Sequence, residues 1–274
     1  MEGGVDEDKM STIVAGVDVG SLCTKTVIMG ADRSILSFSI LRSGSFYRGA
    51  AETSMNIALK SARLVLSDIG YIVGTGYGRA KVPFANSQVT EISCHARGAA
   101  WLFPEVRTVI DIGGQDSKVI HINDEGQPMN FVMNDKCAAG TGRFLEVMAG
   151  ALEVELDEMG KLSLGAQKEV EVSSICTVFA ESEVISLFAE GCDKANIAAA
   201  IYQSIARRIT GMVGQLGLRE RVAMTGGVAM SCGIVRALEK KLNTTLLIPE
   251  EPQIMGAYGA AIIAGERLAA VAPG

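Results

Sequence analysis

Short apolar runs that end in glycine alternate along the chain with longer stretches whose apolar residues recur at helical spacing. The first run, TIVAGVDVG at 12–20, predicts a buried strand, and a turn at Asp32 and Arg33 separates the two strands that follow it. Up to residue 104 the pattern predicts a three-stranded meander, a helix, a strand and a helix, at 12–20, 25–30, 34–41, 51–66, 71–76 and 90–102.

The same order of elements begins again at residue 107. Strands are predicted at 107–115, 117–123 and 129–134, helices at 139–151, 154–163, 177–190 and 193–216, and a final strand, helix, strand and helix at 221–226, 231–242, 244–248 and 256–268. In each half the first strand closes on Asp-x-Gly, at Asp18 and at Asp111.

This internal repeat predicts two homologous lobes with a cleft between them. Because strands precede helices in each half, the expected fold class is α/β, with helices packed on mixed sheets. We expect lobe I to cover 12–104, with the C-terminal helix 256–270 packing back onto it, and lobe II to cover 105–255.

Composition narrows the class of protein further. Hydrophobic residues make up 48% of the 274 and charged residues 20%, which is typical of a compact folded chain. Only the first ten residues read as a solvated tail. The net charge of −6 argues against a nucleic-acid or anionic-membrane partner. We see no apolar run of the roughly 18–20 residues that span a bilayer and no secretory signal, so the expected location is the cytoplasm.

The first glycine turn, DVGSLCTK at 18–25, joins a strand to a strand and therefore differs from a Walker loop. Gly20 lets backbone N–H groups approach phosphate oxygens, and Asp18 is suited to holding hydrated Mg²⁺. The hydroxyl groups and the lysine of this turn add donors and a positive charge. The candidate nucleotide-binding residues here are Asp18, Gly20, Ser21, Leu22, Cys23, Thr24 and Lys25.

The second glycine turn, DIGGQD at 111–116, repeats this arrangement with Gly113 and Gly114. Two glycine turns, each led by an aspartate, could clamp one Mg-triphosphate, whereas either turn alone could be a simple tight β-turn. Asp111 and Gln115 are the candidate catalytic residues. We hypothesise that Gln115 positions the attacking water.

Two further glycine-containing segments follow apolar elements. Gly226 and Gly227, in TGGVA, could let an adenine or a ribose lie against the backbone. Gln253 opens QIMGAYGAA, where the small residues favour close packing of the last helix, and plain helix packing also explains this segment.

The order of DVGSLCTK, DIGGQD, TGGVA and QIMGAYGAA resembles the phosphate, adenosine and connecting motifs of the acetate and sugar kinase, heat-shock chaperone and actin superfamily. That resemblance implies a two-lobed actin-like fold with duplicated RNase H-like lobes and Mg-ATP in the cleft.

The six cysteines are too few and too scattered for a disulfide scaffold, and no CxxC pair marks a zinc site. Cys137 and Cys176 each lie between a predicted strand and a predicted helix, where the helix dipole stabilises a thiolate or an anionic cluster. Two thiolates cannot complete a four-cysteine cluster, but a two-fold axis doubles every ligand. The alternative is that both are small buried hydrophobes. Cys94, Cys192 and Cys232 are assigned to structure.

The segments NDKCAAGTGRFLEVMA and SSICTVFAESEVIS resemble those of the activator (component A) of 2-hydroxyacyl-CoA dehydratases, and the likeness runs from about residue 13 to 265. The resemblance implies a homodimer with one [4Fe–4S] cluster on Cys137 and Cys176, and ATP or ADP with Mg²⁺ in each subunit. It also implies ATP-driven transfer of an electron from a ferredoxin or a flavodoxin to a dehydratase. An ATPase subunit of a benzoyl-CoA reductase, a sugar or short-acid kinase, and an actin-like scaffold remain alternatives.

Overall fold

The computed structural model describes residues 12–134, 137–173 and 176–271. The expected solvated tail lies outside the described residues, as do residues 135, 136, 174 and 175 of the two cysteine motifs. The chain divides into two compact units. Among the described residues the first unit comprises 12–104, 125–127 and 254–271, and the second comprises 105–124 and 128–253.

Secondary structure follows the expected order of elements. The strands of the described chain are β1 (Val14–Val19), β2 (Cys23–Met29), β3 (Ile35–Arg42), β4 (Tyr71–Thr75), β5 (Ser87–Gln88), β6 (Thr108–Ile112), β7 (Ser117–Ile122), β8 (Pro128–Asn134), β9 (Val222–Thr225) and β10 (Leu246–Leu247). The α-helices are α1 (Tyr47–Ala62), α2 (Glu91–Leu102), α3 (Gly142–Ala151), α4 (Leu156–Ser163), α5 (Thr177–Ala189), α6 (Lys194–Leu216), α7 (Cys232–Leu242) and α8 (Met255–Val271).

Each unit contains one five-stranded mixed sheet, and the two sheets have the same topology. The strand order is β3-β2-β1-β4-β5 in the first unit and β8-β7-β6-β9-β10 in the second. In both sheets the first three strands along the chain are antiparallel and the fourth pairs in parallel with the first. Asp18 pairs with Lys25 and Thr75, as Asp111 pairs with Lys118 and Thr225, so the expected duplication is confirmed.

Several elements differ from the prediction. The first helix begins at Tyr47 rather than near 51, because the ring of Phe46 packs over Gly49 and covers that position. It ends at Ala62, where Arg63 adopts φ 59°. The short strand β5 was not predicted, since two residues carry no measurable periodicity.

The last helix, α8, packs in the first unit against β1, β4 and α2. A Cβ atom at Gly259 would lie 1.8 Å from the carbonyl oxygen of Cys94, and one at Gly16 would lie 2.0 Å from that of Ala257. The small residues of QIMGAYGAA therefore serve close packing. We expected no segment long and apolar enough to span a bilayer, but residues 252–271 meet that criterion by length and composition. Of the apolar window in this segment, 56% is buried inside the protein. This packing accounts for its apolarity.

Candidate functional site

The turn between β1 and β2 is closed by hydrogen bonds on both sides. The N–H of Gly20 donates to the carbonyl oxygen of Cys23 at 3.0 Å. Ser43, which follows β3, donates its N–H to the carbonyl of Leu22 at 2.9 Å and its hydroxyl to the carbonyl of Gly20 at 2.7 Å. The Thr24 hydroxyl is buried and lies 2.9 Å from the Ser43 hydroxyl, so it supports the turn from inside. Ser43 was not among the predicted site residues, because it belongs to no sequence motif.

The carboxylate of Asp18 is buried beneath this turn and is paired with Lys25, whose Nζ lies 3.0 Å from Oδ2. A Cβ atom at Gly76 would lie 2.3 Å from Oδ1, and one at Gly256 would lie 2.8 Å from Oδ2. Only glycine fits at either position while the carboxylate keeps its place. The two glycines therefore form a slot that fixes the Asp18 side chain.

The turn between β6 and β7 repeats this construction in the second unit. The N–H of Gly113 donates to the carbonyl of Asp116 at 2.9 Å. Lys118 is buried, with its Nζ 3.3 Å from Oδ2 of Asp111 and 2.9 Å from Oδ1 of Asp116. The Thr225 hydroxyl donates to Oδ1 of Asp111 at 3.1 Å. The Lys118 ammonium group, which lies between the carboxylates of Asp111 and Asp116, therefore fixes the conformation of the turn.

Gly226 corresponds to Gly76, with φ values of 87° and 86° respectively. A Cβ atom at Gly226 would lie 2.3 Å from the carbonyl oxygen of Ile112 and 2.7 Å from Oδ1 of Asp111. Sequence reasoning missed Lys118 and Gly76. Both were visible in the repeat, because Asp-x-Gly-x-x-x-x-Lys occurs once in each half and a later predicted strand in each half, at 71–76 and 221–226, ends in Thr-Gly.

Gly226, Gly227 and Gln253 come together beside Asp111. The N–H of Gly226 donates to the carbonyl of Pro252 at 2.9 Å, and the side chain of Gln253 lies 3.7 Å from where a Cβ at Gly227 would stand. Gln115 is exposed at the tip of the β6–β7 turn. The predicted residues of the second unit are thus adjacent, except for the cysteines: Cys137 precedes α3 in a loop, and Cys176 immediately precedes α5.

Cys176 occupies the predicted position, since it is exposed and immediately precedes α5. Ser173 is held against the same helix, because its N–H and hydroxyl both donate to the Glu183 carboxylate, at 3.0 and 3.1 Å. On the other side, Arg207 of α6 donates to the carbonyl of Val172 at 2.7 Å. Residues 172 and 173 are therefore held by hydrogen bonds to two helices.

Cys137 does not lie at a helix N-terminus as expected, because α3 begins only at Gly142. The residues between them form a loop in which Gly140 has φ 84°. Asn134, the last residue of β8, donates its Nδ2 group to the carbonyls of Cys137 and Ala139, at 3.0 and 3.2 Å. This loop, Cys137 to Thr141, is called the Cys137 loop below. Sequence reasoning missed Asn134, since no spacing rule links it to the loop.

Cys94, Cys192 and Cys232 differ in burial. Burial raises the pKa of the Cys94 thiol to about 12, so this side chain stays neutral near pH 7. Cys192 is half-buried and Cys232 is exposed. Within the described ranges no group of three or more His, Cys, Asp or Glu side chains is gathered to hold a metal ion.

Comparison with known proteins identifies the family. The family model for the BadF/BadG/BcrA/BcrD ATPases matches residues 15–264. The 2-hydroxyisocaproyl-CoA dehydratase activator of Clostridioides difficile is 46% identical over 91% of this chain and 93% of its own. The (R)-2-hydroxyglutaryl-CoA dehydratase activating ATPase of Acidaminococcus fermentans is 44% identical over 95% of this chain and 100% of its own.

Solved structures agree with the sequence matches. The activator of the 2-hydroxyisocaproyl-CoA dehydratase from Clostridium difficile, with bound ADPNP, superimposes with a TM-score of 0.90 at 43% identity, covering 94% of this chain and 96% of that one. A ROK family glucokinase from Streptomyces griseus gives a TM-score of 0.59 at 15% identity, over 93% of this chain and 99% of that one, which is a likeness of fold alone. The predicted actin-like α/β fold with duplicated sheets is confirmed.

Proposed function

Because the chain belongs to the BadF/BadG/BcrA/BcrD ATPase family, we propose that it is a cytoplasmic, homodimeric activator that uses ATP to drive transfer of an electron to a 2-hydroxyacyl-CoA dehydratase. Support for the partner comes from relatives that are named as activators of such dehydratases. Support for nucleotide binding comes from the ADPNP-bound neighbour.

The two glycine turns are the proposed phosphate-binding elements. Their backbone N–H groups approach phosphate oxygens, and Asp18 and Asp111 bind Mg²⁺ through its water ligands, as carboxylates at Mg-nucleotide sites do. The two carboxylates fit this role because each is fixed in place by neighbouring glycine. A Cβ atom at Gly76 or Gly256 would collide with Asp18, and one at Gly226 would collide with Asp111. Lys25 pairs with Asp18 and offers its charge to a phosphate. Gln115, exposed at its turn, positions the attacking water.

Two hydrogen bonds carry the proposed coupling between nucleotide and cysteine. The N–H of Gly142 donates to the carbonyl of Gly113 at 2.9 Å, and the N–H of Arg143 donates to that of Gly114 at 2.8 Å. These are the first residues of α3, which the Cys137 loop enters directly. A change in the turn on ATP hydrolysis therefore moves the start of α3 and the Cys137 loop together. Glycine at 142 permits the approach, since its Cβ would lie 3.3 Å from the Gly113 oxygen.

Cys137 and Cys176 are the proposed ligands of a [4Fe–4S] cluster shared between two chains. The fit rests on the donor set: an exposed thiol at the start of α5, and a half-buried thiol in a loop made of small residues. Thiolates are the ligands that such clusters require, and two chains supply the necessary four. When bound, the cluster supplies a one-electron carrier between a reduced ferredoxin or flavodoxin and the dehydratase.

The surface next to Cys176 supports association with a second copy. Val178, Phe179 and Ile185 of α5 are all more than half exposed, at 66%, 67% and 51%. Apolar side chains clustered on one helix are typical of a surface that another chain covers. Because α5 begins directly after Cys176, a second copy of the chain that binds this helix brings the thiols of its own chain close to Cys176.

Anaerobic purification tests the proposal. We expect a brown dimer with about four irons, and Cys137→Ser or Cys176→Ser should abolish iron binding while ADP binding remains measurable. Cys232→Ser is the matched control, since Cys232 is also exposed but has no proposed ligand role. It should keep its iron.

Other outcomes would overturn the assignment. A colourless protein with sugar-dependent ATP turnover would identify a kinase instead, and ATP-dependent polymers would identify a scaffold. If both cysteine variants lost ADP binding as completely as iron, the nucleotide and cluster sites would not be separate as proposed.

A further inference from the structure

The Cys137 loop is held from one side by a side-chain clamp made of Asn134 and Arg208. Arg208, on α6, donates from Nη2 to Oδ1 of Asn134 at 3.0 Å. Asn134 in turn donates to the carbonyl oxygens of Cys137 and Ala139. All the polar atoms of the Asn134 amide group are therefore used to fix this loop.

The stem of Arg208 also fixes the loop by contact. A Cβ atom at Gly140 would lie 2.9 Å from Cδ of Arg208, so the arginine packs directly on the glycine. Gly140 has φ 84°, a conformation that favours glycine. The Nε atom of Arg208 is buried and donates to no group among the described residues. A buried guanidinium donor of this kind calls for an acceptor.

The clamp and Thr141 together determine the direction of three amide groups. The carbonyl oxygens of Cys137 and Ala139 accept hydrogen bonds from Asn134. The carbonyl oxygen of Ala138 accepts from Thr141, whose N–H nitrogen and hydroxyl oxygen lie 3.1 and 2.5 Å from it. In a planar trans peptide the N–H points opposite to the C=O. The N–H groups of residues 138–140 therefore point away from these donors, and none has an acceptor within the described ranges.

Two of these amides belong to residues that are buried, Ala139 and Gly140. A buried N–H without a partner is costly, so an acceptor is expected beside them. Consecutive free N–H groups in a loop with one left-handed residue form a concave site for an anion. The thiolate of Cys137 and the sulfides of a cluster bound to it are anions of this kind.

We propose that Asn134 and Arg208 are positioning residues that aim the amides of residues 138–140 at the sulfur atoms held by Cys137, and that they thereby raise the reduction potential of the bound cluster. This inference rests on the proposed function, since it requires the cluster. Hydrogen bonds to cluster sulfurs, and positive charge beside them, stabilise the reduced, more negative state. Loss of the clamp therefore lowers the potential and loosens the iron.

Redox titration and iron release of purified dimers test the role of the clamp. Asn134→Ala removes the two hydrogen bonds that its Nδ2 group donates to the loop, and Arg208→Met keeps the packing on Gly140 but loses the charge. Both variants should show a lower midpoint potential and about 10-fold faster loss of iron to a chelator. Arg208→Lys, which keeps the charge, should restore part of the potential. Asn130→Ala is the control, since Asn130 is on the same strand and its Oδ1 bonds only to the N–H of Phe131.

Binding of ADP serves as the test of folding in every variant. If wild-type protein holds no iron, the proposed function fails. If wild-type and Asn134→Ala dimers hold iron with the same potential and the same release rate, the clamp has no role while the proposed function stands. Faster release at an unchanged potential would mean that the clamp is only structural, and this would also overturn the inference.

Discussion

Lys118 is buried with its Nζ atom 3.3 Å from the Asp111 carboxylate. Lys25 and Asp18 form the equivalent pair in the first unit, again seven residues apart, at 3.0 Å. The two lysines differ in access, because the side chain of Lys118 is 1% exposed and that of Lys25 is 15% exposed. Lys118 also contacts a second carboxylate, Asp116. We therefore infer that Lys118 maintains its turn, whereas Lys25 is the lysine that can reach a phosphate.

This difference predicts different effects of the same substitution at the two lysines. Lys118→Met leaves two carboxylates without the cation that lies between them, and should lower the free energy of unfolding by about 3–5 kcal/mol. Lys25→Met should cost less stability, because water can reach Asp18 beside the partly exposed lysine, but should weaken ADP binding more. Urea unfolding and calorimetric titration with Mg-ADP measure the two quantities. Equal stability losses in the two variants would contradict the division of roles.

The duplicated fold was predictable because each half repeats the same periodicity. Six-residue apolar strands such as β1 are buried on both faces, and that burial leaves a continuous apolar run in the sequence. The start of α3 was not predictable, since it depends on the left-handed Gly140 and on contacts to Arg208 from a distant helix. Helix boundaries that depend on tertiary contacts leave no local pattern.

Gly226 offers a direct test of the slot that holds Asp111. In Gly226→Ala the new Cβ collides with the Ile112 carbonyl and with Asp111, in addition to the strain of φ 87°. We expect a loss of about 3 kcal/mol or more in unfolding free energy, and at least about 10-fold weaker ADP binding.

Gly44→Ala is the matched control for that substitution. Gly44 also has a positive φ, 59°, but a Cβ there would meet nothing within 4 Å. It should cost only the conformational strain, about 1–2 kcal/mol, with unchanged ADP affinity. If Gly226→Ala behaved like Gly44→Ala, the carboxylate slot would not depend on glycine.

The candidate site was predictable where it follows a repeat and hidden where it depends on single side chains. Asp18 and Asp111 are marked by their glycines, and comparison of the halves would have found Lys118 as well. Ser43 and Asn134 could not be found in this way. Each acts through hydrogen bonds to backbone carbonyls of a neighbouring loop, and any short polar side chain at those positions gives the same sequence pattern.

Ser43→Ala tests whether the inner support of the first turn matters for nucleotide binding. It removes the hydroxyl that contacts Thr24 and the Gly20 carbonyl, so stability should fall by about 1–3 kcal/mol and ADP should bind more weakly. Ser37→Ala, in β3, loses a hydroxyl that donates to the Ala58 carbonyl at 2.8 Å, remote from the turn. It should lose comparable stability and no affinity. Equal affinities in the two variants would refute a supporting role for Ser43.

Thiol labelling of the iron-free protein tests the assignment of the cysteines. Because burial raises the pKa of Cys94 to about 12, only about 1 in 10⁴ of its thiols is ionised at pH 8. Iodoacetamide reacts with the thiolate, so Cys94 should stay unmodified in the native state, whereas the exposed Cys176 and Cys232 should be labelled. Peptide mass mapping measures each adduct, and labelling in urea shows that Cys94 can react once exposed. An adduct at Cys94 in native protein at pH 8 would mean that this thiol is accessible and could compete as a ligand.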